Sequence, residues 1–400
     1  MKKAAKAPAP PSVTLSYQLL RNTTSPDEAN TGVRSFTANL SALEILKLGT
    51  KDNLRTYIAE HNPQKRNSVH VAIASTIANQ PERFITRNSG FVITAADVEV
   101  DDGKKTVRLV DPSVINGAQS QGEIRRWYED TFDTEQTAAD VVPFYVRVEI
   151  IVDPDPLQIV ETAIARNTAS PVKSISQAGA RGHLDDLQKS VSAVLPDVKI
   201  RMSETDEGEG FYDTRKILQY ARLLMPLDVS KNEATSEKLR PYKNPEQCLT
   251  EFSEWWKYYE SDKDAARKYD FTVQIAPYAI AEYEYWERHP GWNGQNLYEK
   301  TKNGRACRRD ENGEIVWISP GILFPILGAM GEFVVENGKQ GWSISKPNIF
   351  KPAEMIARAV QQFRGKGSDP YQMGRDAGVY DALRIYPHTL VEVMKDVTAK

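Results

Sequence analysis

The sequence predicts an α/β fold, with a mixed α+β N-terminal half followed by a mostly α-helical C-terminal domain. Between residues 13 and 200, the alternating apolar runs typical of strands are interspersed with segments that have the periodicity of amphipathic helices. From Asp213 onward the pattern is mostly helical and rich in tryptophan and tyrosine. The change falls near residues 205–212. We therefore expect a disordered arm at residues 1–12, an α/β domain at 13–210 and a mostly helical, aromatic-rich domain at 211–400.

The expected elements of the N-terminal half alternate between strand and helix. In order they are strand 13–20, helix 41–48, helix 67–79, strands 90–100 and 105–110, helix 118–128, strand 142–152, helix 157–166 and helix 176–194.

Two examples show how the local sequence pattern predicts the type of element and its end. Helix 67–79 carries Val69, Ile73 and Ile77 on one face and ends before Pro81, which cannot continue a helix. Strands 90–100 and 105–110 flank the turn Asp101-Asp102-Gly103, which predicts a β-hairpin.

Composition limits the class of protein. The 400-residue chain is 40% hydrophobic, which is ample for a packed core. Its 51 basic and 54 acidic residues give a net charge of -3, so any contact with nucleic acid must come from a local patch. The longest apolar run, 321–330, is too short to span a bilayer, and the N-terminus lacks the apolar core of a signal peptide. We expect a cytoplasmic protein with no membrane partner.

Several common chemistries have no matching pattern. Cys248 and Cys307 lie far apart and outside any CxxC pair, so we expect neither a zinc site nor a disulfide. The phosphate-binding pattern GxxxxGK[ST] is absent, which argues against a P-loop NTPase. The histidines are dispersed, and a surface or capping role is expected for each of His61, His70, His183, His289 and His388.

The most unusual local feature is the segment from Asp111 to Glu123, in which a strand runs through Asn116-Gly117 into a helix. A glycine at such a junction lets the backbone approach a ligand, and the free N–H groups of a first helical turn attract anions. Gln119 and Ser120 add an amide and a hydroxyl at the same end, but no strong acid, base or nucleophile. This chemistry favours ligand binding over catalysis. An isolated Asn-Gly is more often a plain turn.

Further polar motifs accompany this junction in a fixed order. They are Asn53-Leu54-Arg55, Asn67 before a helix, Pro81-Glu82-Arg83-Phe84, Asn88-Ser89-Gly90 before a strand, Ile115-Asn116-Gly117-Ala118-Gln119-Ser120, and Asn167 at the end of a helix. The series resembles the AIPR (abortive infection phage resistance) family over residues 50–190. In the family pattern Ser89 would be Asn, Ser120 and Arg166 would be Thr, and Ala169 would be Gln.

The resemblance implies a prokaryotic anti-phage defence protein. It also implies an AIPR-type domain at residues 13–210. We expect its pocket to bind a nucleotide or a nucleic-acid backbone, and other defence-system proteins are expected partners. The expected ligand-binding residues are Asn88, Gly90, Asn116, Gly117, Gln119 and Ser120, with Arg55 and Asn167.

Two other functions stay open. A metal-dependent nuclease would need clustered carboxylates, and its Mg²⁺ would be the only cofactor that we infer. The candidates are Asp97, Glu99, Asp101 and Asp102 beside Lys104 and Lys105, and Glu204, Asp206, Glu207 and Glu209. Alternatively, the aromatic helical half recruits partners as a regulatory scaffold.

A basic segment in the C-terminal half is a second candidate nucleic-acid contact. Lys302, Arg305, Arg308 and Arg309 form its densest part, with Lys300, Trp292 and Tyr298 close in sequence. Cations beside aromatic rings suit phosphate contacts with base stacking. A solvated loop is the alternative reading of the same residues.

Overall fold

The structure of the protein is a computed structural model. It describes residues 10–53, 68–132, 144–167, 173–204, 206, 210–231, 236–338 and 341–398. The chain divides into two compact units, Met1–Arg181 with Ser203–Thr205 and Gly182–Met202 with Asp206–Lys400.

The first unit combines a sheet with short helices. Its strands are β1 (Ser12–Asn22), β2 (Arg34–Ser41), β3 (Phe91–Ala95), β4 (Asp97–Asp101), β5 (Thr106–Val110), β6 (Ser113–Asn116) and β7 (Tyr145–Val152). Its described helices are α1 (Pro26–Thr31), α2 (Ala42–Ile45), α3 (Ser68–Asn79), α4 (Phe84–Arg87), α5 (Ala118–Phe132), α6 (Pro156–Arg166) and α7 (Ser174–Ala180).

The strands form one seven-stranded sheet in the order β4-β5-β1-β2-β7-β3-β6. Neighbouring strands are antiparallel except β3 and β7, which are parallel. Alternate side chains of the strands are buried, as in β7, where Val146, Val148 and Ile150 are almost fully enclosed. This alternation in the sequence is why residues 13–20 and 142–152 were predictable as strands.

Three predicted boundaries differ from the structure. The run 90–100 is two strands, because Ala96 N donates to Val110 O between them and only β4 pairs with β5 as the expected hairpin. The helix predicted at 176–194 is broken at Gly182, whose φ of 74° is left-handed. The arm predicted at 1–12 is shorter at its C-terminal end, since Ser12 begins β1 and Pro11 O accepts from Asp111 N. Residues 1–9 lie outside the described residues.

The second unit is mostly helical, which confirms the predicted fold class. Its described helices are α8 (Asp185–Val194), α9 (Thr214–Leu224), α10 (Leu227–Ser230), α11 (Ser236–Lys243), α12 (Pro245–Lys257), α13 (Lys263–Glu287), α14 (Pro320–Met330), α15 (Pro352–Gly365), α16 (Pro370–Gly374) and α17 (Ala377–Thr398). Short strand pairs complete it: β8 (Lys199–Ile200) with β9 (Phe211–Tyr212), β10 (Cys307–Arg309) with β11 (Ile315–Ile318), and β12 (Val334–Glu336) with β13 (Trp342–Ile344).

The core of this unit is built around α14. The longest apolar run of the sequence, residues 321–330, forms nearly all of this helix and is buried along its whole length. Because its residues are apolar all round, α14 is enclosed by other helices rather than lying on the surface. Among the described residues, no helix is both long and apolar enough to cross a membrane.

A half-buried lysine ties α11 to the end of α9. The Nζ of Lys238 donates to Leu223 O at 2.7 Å and also to Met225 O. Helix ends leave carbonyl groups without intrahelical partners, and Lys238 supplies donors for two of them. Burial lowers the pKa of Lys238 to about 7, although the carbonyl oxygens around it favour the protonated form.

Candidate functional site

The junction between β6 and α5 requires glycine. Gly117 has a φ of 109°, and a Cβ atom there would lie 2.5 Å from Phe91 Cδ1. Gly90, at the start of β3, has a φ of 87°, and a Cβ atom would lie 2.7 Å from Arg147 O. Both positions combine a left-handed backbone with a close neighbour, which explains the glycines of the two sequence motifs. The chain therefore brings two polar segments together at one edge of the sheet.

Asn88 joins these two segments. Its Nδ2 donates to Ser120 Oγ at 2.8 Å, and its Oδ1 accepts from Gly90 N at 2.9 Å. The loop before β3 is thereby fixed to the first turn of α5. Ser120 is almost fully buried, so its hydroxyl serves this junction. The side chain of Asn88 therefore has a structural role in holding the two segments together, in addition to lining the cleft described below.

Asn116 and Asn167 hold β6 from the other side. Asn116 Nδ2 donates to Arg166 O at 3.1 Å. Asn167 Nδ2 donates to Ile115 O at 3.1 Å and to Ala163 O at 2.7 Å. Asn167 does not line the cleft described next. Its role in the structure is to tie the end of α6 to the strand that carries Asn116.

A cleft of about 490 Å³ opens between α3, α4, the Asn88–Gly90 loop and the start of α5. It is lined by Ser68, Val69, Ala72, Ile73, Thr76, Phe84, Arg87, Asn88, Ser89, Gly90, Asn116, Gly117, Gln119 and Ser120. The apolar part of the lining comes from α3 and from Phe84 of α4, and the loop and the start of α5 contribute mostly polar groups. The volume is in the range of small-molecule sites. No carboxylate lines this part of the described structure.

Six of the predicted ligand-binding residues share this cleft, and they are Asn88, Gly90, Asn116, Gly117, Gln119 and Ser120. Arg55 lies outside the described residues, and so does Asn67 of the motif series. Whether a ligand binds these residues stays a prediction. The sequence pattern nevertheless indicated which distant segments meet.

Arg87 and His70 were not predicted as part of the site. Arg87 ends α4, is exposed on the cleft wall, and forms no ion pair with any described residue. His70 lies on α3 with only 1% of its surface exposed, and its Nε2 is 2.5 Å from Gln119 Oε1. Arg87 directly precedes the Asn88 motif, so its position in the sequence was a usable signal. No local sequence signal pointed to His70, because its contact with Gln119 depends on the packing of α3 against α5.

The acidic residues that a nuclease would use are dispersed or engaged. Asp97 pairs with Arg34 at 2.6 Å, Asp101 with Lys104 at 3.1 Å, and Asp102 accepts from Tyr17 Oη at 2.7 Å. In the acidic loop, Glu204 pairs with Lys173 and Asp206 accepts from Met202 N, while Glu207 and Glu209 lie outside the described residues. Glu99 is 3.6 Å from Arg108. Within the described ranges, no three metal-binding side chains come together.

The basic segment of the second unit lies on the hairpin of β10 and β11 and on the loop before it. Lys302, Arg305 and Arg308 are exposed, whereas Arg309 donates to Gly313 O and Leu297 O. Trp292 is fully buried and donates its indole N–H to Trp286 O, so the idea that it stacks on a base is wrong. Tyr298 is exposed.

The histidines take several roles. His289 caps a short 3-10 helix by accepting from Gly291 N, as expected, and exposed His388 pairs with Glu332. The surface role expected for His70 and His183 is wrong, since both are buried and His183 packs on Trp256 at 4.4 Å. His61 lies outside the described residues. Cys248 and Cys307 are buried free thiols.

Comparison with known proteins bears on the whole cleft. No curated protein and no solved structure matched the chain significantly. The sequence model of the AIPR protein family matches residues 51–270, which is more than half of the chain and includes every residue that lines the cleft. The chain therefore belongs to the AIPR (abortive infection phage resistance) family.

Proposed function

We propose that this protein acts in the cytoplasm as an abortive-infection anti-phage defence protein, and that its cleft binds the phosphate of a nucleotide or of a nucleic-acid backbone. Membership of the AIPR family supports the defence role. The observation that carries the ligand assignment is the electrostatic make-up of the cleft. Arg87 lines it without an ion-pair partner in the described structure, and no carboxylate lines it.

Two further features suit a phosphate. The first N–H groups of a helix have no intrahelical partners and point toward its N-terminal end, where an anion is stabilised. The first turn of α5 opens on this cleft through Gln119 and Ser120. A guanidinium group donates to two phosphate oxygens at once, so Arg87 is suited to the same ligand.

The apolar part of the lining favours an organic phosphate over a free one. Val69, Ala72 and Ile73 of α3 line the cleft together with the polar segments, and Val69 is 56% exposed. A base or sugar placed there would bury apolar surface while the phosphate meets Arg87. We therefore infer that the apolar residues of α3 receive the organic part of the ligand and that Arg87 receives its phosphate.

A thermal-shift experiment tests the ligand assignment. Adenosine monophosphate, pyrophosphate and a short oligothymidylate are titrated against the wild type, Arg87→Ala and Arg125→Ala. Arg125 is an exposed arginine on α5 that does not line the cleft, so it controls for the loss of charge. A ligand at about 100 times its Kd stabilises the folded state by about 2.7 kcal/mol, which raises Tm measurably.

We expect at least one of these phosphates to raise the Tm of the wild type and of Arg125→Ala. Loss of a charge-assisted hydrogen bond, at about 1.5–3 kcal/mol, should weaken binding to Arg87→Ala by about tenfold to a hundredfold. No shift with any of the phosphates, or an equal shift for Arg87→Ala, would contradict the assignment.

A phage-plating assay tests the defence role and the site together. Cells that express the wild type should resist phage, and Asn116→Ala and Gln119→Ala should lose resistance at matched protein levels. Asn116 anchors the strand end through Arg166 O, and Gln119 contacts His70, so either change disturbs the cleft wall. Full resistance with both variants would show that the cleft is dispensable for defence.

A further inference from the structure

A second cleft, of about 370 Å³, lies in the helical unit. It is lined by Phe211, Tyr212, Asp213, Lys216, Tyr220, Tyr283, Glu284, Glu287, Arg288, Trp317 and Pro320. These residues come from β9, from α9 and the residue before it, from the end of α13, from β11 and from the first residue of α14. The function proposed above does not involve them.

Aromatic side chains make up much of this cleft. Tyr220 and Tyr283 stack with ring centroids 4.1 Å apart and an angle of 9° between the planes. Tyr212 meets Tyr220 edge-on at 6.4 Å. The stacked pair is buried, whereas Tyr212 and Trp317 are half-buried and accessible from the cleft. The stacked pair therefore belongs to the buried part of the lining, and Tyr212 and Trp317 are rings that a ligand can reach.

An acidic side chain, Glu287, lies in the same cleft and accepts a hydrogen bond from the hydroxyl of Tyr283. Glu287 is half-buried and forms no ion pair with any residue that the structure describes. Burial raises the pKa of Glu287, so ionisation of this carboxyl group is costly in the empty cleft. A cation bound beside it would offset that cost.

The charges around Glu287 leave room for such a cation. Glu284, one turn earlier on α13, is 3.9 Å from Arg288, and Asp213 pairs with Arg215 at 3.2 Å. Arg288 and the exposed Lys216 both act on Glu287 electrostatically and favour its charged form. Among the described residues, neither of them forms an ion pair with Glu287, so its carboxylate has no cation in direct contact.

We propose that this cleft binds an alkylammonium cation, held between the aromatic side chains and the carboxylate of Glu287. Aromatic faces attract organic cations through their negative quadrupole, and this attraction strengthens when water is excluded. A phosphate or another anion placed beside Glu287 would instead be repelled by its carboxylate. The ligand class differs from that of the first cleft, so the two proposals stand or fall separately.

Calorimetry with a matched pair of probes tests the charge requirement. Choline and its neutral isostere 3,3-dimethylbutan-1-ol have nearly the same shape and differ in the positive charge. We expect choline to bind the wild-type protein and the neutral alcohol to bind at least about tenfold more weakly. Equal binding of the two, or no binding of either choline or spermidine, would overturn the proposal.

Variants locate the binding site. Glu287→Gln keeps the shape of the side chain and removes its charge, and Glu311→Gln makes the same change on the exposed turn between β10 and β11. We expect Glu287→Gln to weaken choline binding by about tenfold and Glu311→Gln to leave it unchanged. Trp317→Leu should weaken binding severalfold and provides a second test on a half-buried residue. Unchanged binding in both Glu287→Gln and Trp317→Leu would refute the site.

The same titration distinguishes the sources of the cation. Spermidine represents a free polyamine. Nα-acetyl-lysine amide, whose side-chain ammonium group is free, represents a lysine side chain of a partner protein. Preference for one of the two, lost in Glu287→Gln, assigns the source. If neither displaces choline, both a free polyamine and a lysine side chain are excluded as the source of the cation.

Discussion

At the scale of single residues, the first cleft depends on two glycines that cannot be replaced without strain. Gly90 and Gly117 have left-handed backbones, and each lies against a neighbouring strand: Gly90 against Arg147 O, and Gly117 against the Phe91 ring. Other glycines of the same unit are left-handed but open. Gly32, for example, has a φ of 82° and nothing within 4 Å of a would-be Cβ atom. At Gly32 only the left-handed backbone disfavours a side chain, whereas at Gly90 and Gly117 a steric clash with a neighbour is added.

We predict that Gly117→Ala destabilises the protein more than Gly32→Ala does. Both variants force a left-handed alanine, at a cost of about 1–3 kcal/mol. Only Gly117→Ala also drives a methyl group into Phe91, which adds about 1–3 kcal/mol of overpacking. Urea unfolding of both variants measures the difference. Equal losses of unfolding free energy would mean that the contact with Phe91 is relieved without cost.

The cleft residues differ in how visible they were in the sequence. Asn88, Gly90, Asn116 and Gly117 belong to motifs in which small polar residues precede or follow a strand, and that local pattern was sufficient. Sequence alone assigned Asn88 and Asn116 to the ligand, whereas their amides are engaged by Ser120 Oγ and Arg166 O. His70 was missed because α3 and α5 are far apart in sequence and no local pattern records their contact.

At the scale of elements, periodicity identified segments better than it found their ends. Residues 90–100 look like one continuous strand because apolar residues recur throughout, but the chain changes partners at Ala96, from β7 and β6 to β5. Pairing of this kind is decided by residues elsewhere in the chain, which a local window does not contain. The break after α7 was easier to predict from the sequence, since Gly179 and Gly182 both lie within the predicted helix 176–194.

Lys238 gives a prediction for the contact between α11 and α9. Lys238→Met keeps the length of the side chain but leaves Leu223 O and Met225 O without their donor. An unsatisfied buried polar group costs about 1–3 kcal/mol, so the variant should lose stability by that order. Urea unfolding measures the loss, with Lys263→Met on α13 as the control, since Lys263 is exposed. A loss no larger than that of the control would contradict the capping role.

The same lysine predicts a pH dependence. Its pKa is about 7 in the folded protein and 10.5 ordinarily, so the unfolded chain binds the proton more tightly between these values. Stability should therefore rise as the pH increases from 7 toward 10.5, and it should level off below pH 7, where both states bind the proton. Unfolding free energies of the wild type minus those of Lys238→Met, measured between pH 6 and 10, isolate this contribution. A flat difference would show that the carbonyl oxygens keep Lys238 protonated.

At the scale of the whole molecule, the two compact units have separate hydrophobic cores. One core is formed by the sheet and includes Ile93 and Phe84, and the other is formed by the helices and includes Ile275 and Phe271. Each core lies entirely within one unit. Loss of packing in one core should therefore affect mainly the unit to which it belongs.

Hydrogen exchange tests this separation. Ile93→Ala and Ile275→Ala each remove a fully buried side chain, at a cost of about 2–5 kcal/mol. We expect faster exchange in peptides of the first unit for Ile93→Ala and of the second unit for Ile275→Ala, read by mass spectrometry. Acceleration of equal size throughout the chain in both variants would mean that the cores unfold as one.

During synthesis, β2 and β3 leave the ribosome well before β7, the strand that lies between them in the sheet. Until residues 145–152 emerge, each of the two strands has an edge that lacks its final hydrogen-bonding partner, and the backbone of Arg147 is not yet in place against Gly90. Unpaired edges of this kind are open to association with other chains. Until β7 has been made, the nascent sheet is therefore exposed to association at these edges, and the packing at Gly90 beside the first cleft is incomplete.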